Sequence, residues 1–534
     1  MHKATQNILT GLLGALLLAL AACGGGGSAP SVPVTPPTAP DNGGSSDVAF
    51  ADPVHYSSAG NASLAAAGEQ AAVTHAQLTV NGKQISYTAT TGHLTASDAV
   101  SGQPKASFFY VAYTADGSTQ DKAARPVTFF YNGGPGSSTV WLHLGSYGPK
   151  RIVTNMPANV LPDPAPLVDN AESLLDTSDL VFVDAIGSGY SQAIAPNTNQ
   201  TFWGVDQDAA AFRDFVARYV KVNQRDSSPK FLFGESYGGP RTAVLANLLE
   251  SAGIKVAGVV LQSPILNYNS NCSMFIIGTV SCEGYIPSYA AIGANYLLTN
   301  PVPADLPAYA QQMRAFSAAI YRPAVAAYIA NKTPPGAELV TQLVNFTGMA
   351  DYVWRSNLDT DPGTFQVGLV FGQLIGRYDA RVFASKDSPL SSEGDPSSTL
   401  ITPAFTNNLA DYMTRQLKYS ANSAYTISSN AITTWDFSHD NQKLPDTVPD
   451  LAAAMLQNPS MKVLAISGYH DLATPFYQTE MDLARLGNNA NIQVTVHPGG
   501  HMNYLTDDSR KLAKAELAAF YARAVAANPA AGLN

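Results

Sequence analysis

Two short apolar runs, Leu180-Val181-Phe182-Val183 before Asp184 and Phe231-Leu232-Phe233 between Lys230 and Gly234, flank a stretch from Val205 to Val222 whose apolar residues return at helical spacing. Unbroken apolar runs of this length suit strands buried on both faces, and such strands linked through helices form a parallel sheet. Pro126 to Tyr131, Val256 to Leu261, Met461 to Ser467 and Val494 to His497 fit the same plan, as do helical spacing over Arg241 to Glu250 and a closing helix over Arg510 to Ala526. Upstream, Leu78-Thr79-Val80 and Gln84-Ile85-Ser86-Tyr87-Thr88 alternate around Asn81-Gly82, a strong hairpin signal, and Phe108 to Thr114 continues the β character. The fold class predicted is α/β, with a mostly parallel central sheet, an antiparallel edge and helices on both faces.

Between Val256 to Leu261 and Met461 to Ser467 the pattern changes. Residues from about Asn269 to Asn430 carry helical stretches at Tyr289 to Leu298, Leu306 to Ile329 and Phe365 to Gly372 without clear sheet strands, and read as an inserted, mainly helical cap. The division predicted is a core in two parts, 51–268 and 431–534, around a cap at 269–430. With 46% of its 534 residues hydrophobic, the chain has ample material for a large buried core.

Lys3, the apolar run Ile8 to Ala22 and the quartet Leu20-Ala21-Ala22-Cys23 make 1–22 a signal peptide, too short to span a bilayer comfortably. The quartet resembles the lipobox of bacterial lipoproteins, which implies that Cys23 becomes a lipidated N-terminus and that the chain is exported and membrane-anchored, facing the periplasm or the cell surface. An ordinary cleaved signal with an incidental Cys is the alternative. Residues 23–50, rich in Gly, Ser, Pro and Thr, read as a flexible tether. Thirty Lys and Arg against forty Asp and Glu give a net charge of −10 without a sustained basic cluster, which argues against nucleic acid as a partner. Oligomeric state is left open. Once Cys23 is set aside, Cys272 and Cys282 form an even pair in a chain bound for an oxidising compartment, and a local disulfide is the natural reading. A metal site there lacks further ligands at suitable spacing, and no cofactor is implied.

Gly234-Glu235-Ser236-Tyr237-Gly238 fits G-x-S-x-G between an apolar strand and a helix. The pentapeptide alone occurs by chance in about one chain in five of this length. Its placement carries the weight, because a sharp strand-to-helix turn exposes the Ser236 hydroxyl and aims helix N-terminal amides at developing negative charge. A hydroxyl needs a base, and the order Ser, acid, His selects His501, in a loop after Pro498-Gly499-Gly500, over His497 at the end of a strand. Asp471, just beyond Met461 to Ser467, is the acid able to hold the imidazole. Asn132-Gly133-Gly134-Pro135-Gly136-Ser137-Ser138 follows its strand as an oxyanion loop should, with the amides of Gly134 and Tyr237 as donors.

Together with Ser-Gly-Tyr-His-Asp at 467–471 and Gly-Gly-His-Met at 499–502, these motifs resemble the serine carboxypeptidase family over roughly residues 75 to 525. The resemblance implies an α/β-hydrolase fold, peptide substrates and a pocket for the terminal carboxylate made of Asn132, the Gly133 amide and Glu235. A Glu facing a carboxylate must be protonated to donate a hydrogen bond; stabilisation of Glu235 by the helix dipole is the competing account. Two positions depart from the family: Ser146 stands where many relatives have Glu, and Tyr469 replaces the first Asp of a Gly-Asp-x-Asp motif. An esterase or acyltransferase on the same triad, and a surface binding lipoprotein without catalysis, are the alternative functions. If Cys272 and Cys282 are bridged, thiol titration of the denatured, unreduced protein finds no free sulfhydryl from either; two would refute the pairing.

Overall fold

Every one of these apolar runs is a strand of one sheet in the computed structural model, which describes residues 46–98, 101–117, 119–272 and 280–528. The strands are β1 Ala71–Val80, β2 Lys83–Ser97, β3 Pro104–Ala115, β4 Val127–Tyr131, β5 Asp179–Val183, β6 Lys230–Glu235, β7 Val256–Gln262, β8 Lys462–Gly468 and β9 Ile492–His497. Val80 pairs with Lys83 across Asn81-Gly82, both at positive φ (50° and 74°), as a tight hairpin turn requires. Across the sheet the order is β9-β8-β7-β6-β4-β5-β3-β2-β1, with Gln192–Ala193 paired to β3. From β5 through β9 the pairs are parallel, while β5-β3, β3-β2 and β2-β1 are antiparallel.

The parallel strands are apolar throughout because both faces are covered. Phe129 and Leu232 pack beneath helices α1 (Val205–Val222) and α2 (Gly238–Ser251), with Phe212, Phe215 and Leu245. Their neighbours Phe130 and Phe233 face the other way, toward α3 (Pro396–Arg415) and α4 (Asp507–Ala527), with Phe405, Leu517 and Phe520. This is the α/β-hydrolase arrangement. The insertion has its own core of Tyr289, Met313, Tyr321, Trp354 and Phe365, and the disulfide Cys272–Cys282 joins its start to the helix over Ile286–Asn295.

Three details differ from the sequence expectations. The helix expected over Leu306 to Ile329 is Leu306–Phe316 and Arg322–Asn331 around a π turn at Ser317–Tyr321; Pro323 has no N–H to continue the ladder. The tether expected to reach residue 50 ends earlier, since Val48 bridges Val73 and Phe50–Asp52 pairs with Tyr419–Ala421. Within 269–430, short strands form at Gln373–Ile375 and Phe383–Ser385, and α3 packs on the main sheet rather than in the insertion's core. The expected signal peptide 1–22 and Cys23 lie outside the described residues. Among those described, no helix is long and apolar enough to cross a membrane.

Helices α1 and α2 are fastened by a buried ion pair, Arg241 Nε to Asp208 Oδ2 at 2.6 Å. Arg241 also donates through Nη1 to the carbonyl of Asn132 at 2.6 Å, and its guanidinium lies over the rings of Phe212, Tyr131 and Tyr237. Removing one partner of such a pair strands the other charge in apolar surroundings. Asp208→Asn is therefore expected to lower unfolding free energy by about 3 kcal/mol, measured by urea denaturation; a change within error would show that the pair holds nothing.

Candidate active site

Parallel register brings the carboxyl ends of the central strands level: Gly234 lies beside Tyr131, Glu235 beside Gln262, Gln262 beside Ile466 and Gly468 beside His497. The segments that follow therefore share one edge, where open α/β sheets place their ligands. A cleft of about 500 Å³ opens there, lined by Asn132, Gly133, Gly134, Glu235, Ser236 and His501, with Trp141 and Met502 beside them and Tyr378, Ser398 and Ser428 from the insertion.

Ser236 sits at φ 62° between β6 and α2, a left-handed conformation that costs an ordinary residue about 1–2 kcal/mol. Hydrogen bonds on both sides hold it: Ser236 N to Gln262 O (3.0 Å) and Gly239 N to Ser236 O (2.8 Å). The turn lifts the hydroxyl into the cleft and leaves the first amides of α2 without intrahelical acceptors. Gly133 presses against this turn so closely that a Cβ would lie 2.4 Å from Tyr237 N and 2.7 Å from Glu235 O. The Gly133-Gly134 segment and the Tyr237 amide thus face one another beside Ser236.

His501 Nδ1 lies 2.8 Å from Asp471 Oδ2, and both groups are buried. Asp471 Oδ1 accepts the backbone N–H groups of Ala473 (2.7 Å) and Thr474 (3.0 Å). The Thr474 hydroxyl, which nothing in the motif spacing singled out, lies 2.8 Å from Asp471 Oδ2, 3.0 Å from His501 Nδ1 and 2.8 Å from the Ser263 carbonyl. With Nδ1 engaged, Nε2 is the ring nitrogen left for chemistry. Burial disfavours the imidazolium, but the Asp471 carboxylate and its hydrogen bond outweigh it, with help from Glu235, and His501 is raised above its ordinary value. The other sequence candidate, His497, is bonded to Glu516 at 2.9 Å.

Glu235, one residue before Ser236, is buried at the cleft floor. Asn132 Nδ2 donates to its Oε1 (2.8 Å) and the Tyr504 hydroxyl to its Oε2 (2.7 Å). Burial pushes its carboxyl up to about 7, against the lowering pull of His501 and of the Tyr504 and Asn132 hydrogen bonds. A helix dipole would have lowered it, so desolvation dominates. The family departures have local accounts. Ser146 turns back on the Leu142 carbonyl at 2.5 Å, while Tyr504, from beyond the histidine, partners Glu235; Tyr469 packs edge-on against Phe476.

A short stretch of the insertion, Gly376 to Arg381, lies across both loops of the His501 and Asp471 pair. His501 N donates to Tyr378 O (2.5 Å), Leu472 N to Arg377 O (3.0 Å) and Ala380 N to His470 O (3.1 Å), and the Tyr378 ring stacks on the His501 ring at 4.9 Å. Gly500 permits the contact, since a Cβ there would meet Tyr378 O at 1.9 Å. The stretch is itself held by Asp395, which accepts the Arg377 and Tyr378 amides at 3.0 and 3.2 Å. Thr474→Val deletes a hydrogen bond to a buried carboxylate and is expected to slow fluorophosphonate labelling of Ser236 by roughly tenfold or more, with Thr474→Ser near wild type. Unchanged labelling kinetics in a folded Thr474→Val protein would remove Thr474 from the site.

A family model described as serine carboxypeptidase matches residues 80–276. A curated relative, serine carboxypeptidase-like 33 of Arabidopsis thaliana, is 27% identical over 161 residues, covering 28% of this chain; the chain spans about a third, 31%, of that relative's length. Similar solved structures include the prohormone-processing carboxypeptidase Kex1 of Saccharomyces cerevisiae (14% identity, TM-score 0.47, 81% of this chain and 91% of that one). Another is proline iminopeptidase of Mycobacterium smegmatis (14% identity, TM-score 0.36, 82% of this chain and 100% of that one). The matched stretch, residues 80–276, holds both the Asn132-Gly133-Gly134 loop and Ser236.

Proposed function

We propose that this protein is a serine carboxypeptidase that releases C-terminal residues from peptides, with Ser236 as nucleophile, His501 as base and Asp471 as the group that orients it. The observation that carries the reading is Glu235: a buried carboxyl near 7 at the cleft floor, beside Asn132 and next to the nucleophile. Protonated, it donates a hydrogen bond to a substrate carboxylate that Asn132 and the Gly133 amide also receive. An ester or amide terminus offers no such charge.

With the terminal carboxylate anchored there, the last peptide bond lies over Ser236. His501 Nε2 takes the hydroxyl proton as Oγ adds to the carbonyl carbon, and the oxyanion receives the Gly134 and Tyr237 amides. The imidazolium, steadied by Asp471, gives its proton to the leaving amine as the C–N bond breaks and an acyl-enzyme ester remains. Water, deprotonated by His501, then hydrolyses the ester and restores Ser236. Export with lipid on Cys23 is part of the same proposal, and the mass of the mature N-terminal peptide tests it.

The two titrating groups work in opposite senses. Catalysis needs neutral His501, so activity falls as pH drops below its raised value; carboxylate binding needs protonated Glu235, so activity falls as pH climbs past about 7. A narrow bell near neutrality is the expected kcat/KM profile. Glu235→Gln donates at every pH and removes a charge that raises His501, so it should flatten the alkaline limb and move the acid limb downward. An alkaline limb identical to wild type in that variant would take Glu235 out of substrate binding. Ser236→Ala should abolish turnover while leaving the fold intact by circular dichroism. N-blocked dipeptides with a free carboxylate should be cleaved far faster than their amides or esters; equal rates would make the protein an esterase.

A further inference from the structure

Gln262 closes β7, and the short segment from Gln262 to Ile265 reaches all three loops that carry Ser236, His501 and Asp471. Toward the nucleophile, the Gln262 carbonyl accepts Ser236 N at 3.0 Å and Ile265 N donates to the Ser236 carbonyl at 3.3 Å. Toward the base, Ser263 Oγ donates to the His501 carbonyl at 2.6 Å, and the Gln262 carboxamide reaches the same oxygen at 3.4 Å. Toward the acid, the Ser263 carbonyl accepts the Thr474 hydroxyl, which also bonds Asp471.

Ser263 makes its contacts from an unfavourable backbone. It is fully buried at φ 43°, in the left-handed region that strains any residue with a Cβ. Its N–H is tied to the Ile466 carbonyl at 2.7 Å, and Gln262 Nε2 donates to its Oγ at 3.2 Å, which leaves the hydroxyl proton for His501. The turn itself calls for no side chain, since glycine adopts such a φ freely. What serine adds is the hydroxyl. His501 is thereby fixed at its N–H by Tyr378, at Nδ1 by Asp471 and at its carbonyl by Ser263. The last of these joins the base to the segment that holds Ser236, and so sets Nε2 relative to the nucleophile.

We infer that Ser263 is a positioning residue for the acyl-transfer steps, its hydroxyl holding His501 in register with Ser236, and that it acts on turnover rather than on substrate binding. The inference rests on the reading of Ser236, His501 and Asp471 as the catalytic triad. The partners of Ser263 are Gln262, Ile466, Thr474 and His501, none of which belongs to the proposed carboxylate pocket. Misplacing a catalytic group by about 1 Å costs on the order of a hundredfold, so loss of the hydroxyl should lower kcat by roughly ten- to a hundredfold and leave KM near wild type.

Two variants separate the hydroxyl from the turn. Ser263→Gly and Ser263→Ala both delete the hydroxyl, but glycine suits φ 43° whereas alanine keeps the strain. Each is assayed for kcat and KM on an N-blocked dipeptide, with kcat divided by the number of sites that a fluorophosphonate labels at completion, so that a misfolded fraction drops out. Both should lose kcat per labelled site to a similar extent with KM within about twofold of wild type, and the glycine variant should melt no lower than the alanine one. Wild-type kcat per labelled site in Ser263→Gly would overturn the inference, leaving the turn alone as what matters; a rise in KM as large as the fall in kcat would overturn it as well. Turnover that survives in Ser236→Ala would instead remove the triad, and the role of Ser263 with it.

Discussion

The level ends of the parallel strands are the constraint from which the site follows. Slanted, evenly spaced hydrogen bonds tie β4, β6, β7, β8 and β9 in one register, so the residues just past each strand share an edge although hundreds of positions separate them in sequence. Arg241 secures that edge from below. By pairing with Asp208 on α1 and donating to the Asn132 carbonyl, it binds the helix behind Ser236 to the loop before it. The cluster of aromatic rings around the guanidinium keeps water from the pair, which makes the contact strong and its loss costly.

Glu235 on the cleft floor and Asp471 behind His501 lie in contrasting surroundings. Asp471 is met by two backbone amides, the Thr474 hydroxyl and the imidazole. Glu235 receives only Asn132 and Tyr504 in a deeply buried position, and burial outweighs both. Deep burial with few donors is what lets Glu235 hold its proton near neutrality.

The strands and the order of motifs were legible because parallel strands buried on both faces leave uninterrupted apolar runs, and because a strand-to-helix turn around Ser236 leaves small residues at fixed offsets. The insertion was harder to delimit. α3 has helical spacing like its neighbours, yet Ile401, Phe405 and Leu409 pack on the main sheet, and spacing alone does not say which body a helix joins. Thr474, Tyr378 and Tyr504 left no signal either, since each acts through a contact made by folding rather than through a motif. Tyr504 is the clearest instance: the hydroxyl that reaches Glu235 comes from the far side of His501, a position that no motif marks.

The stretch from Gly376 to Arg381 gives the insertion a second duty. A covering segment that swings away admits bulky substrates, but this one carries the backbone acceptors and the aromatic face that steady His501 and its neighbours. Swinging it open would unseat the imidazole, so the groove cannot be at once wide and competent. For the peptide substrates proposed, entry would then be by threading of a loose chain end, and the interior of a folded chain would be shut out.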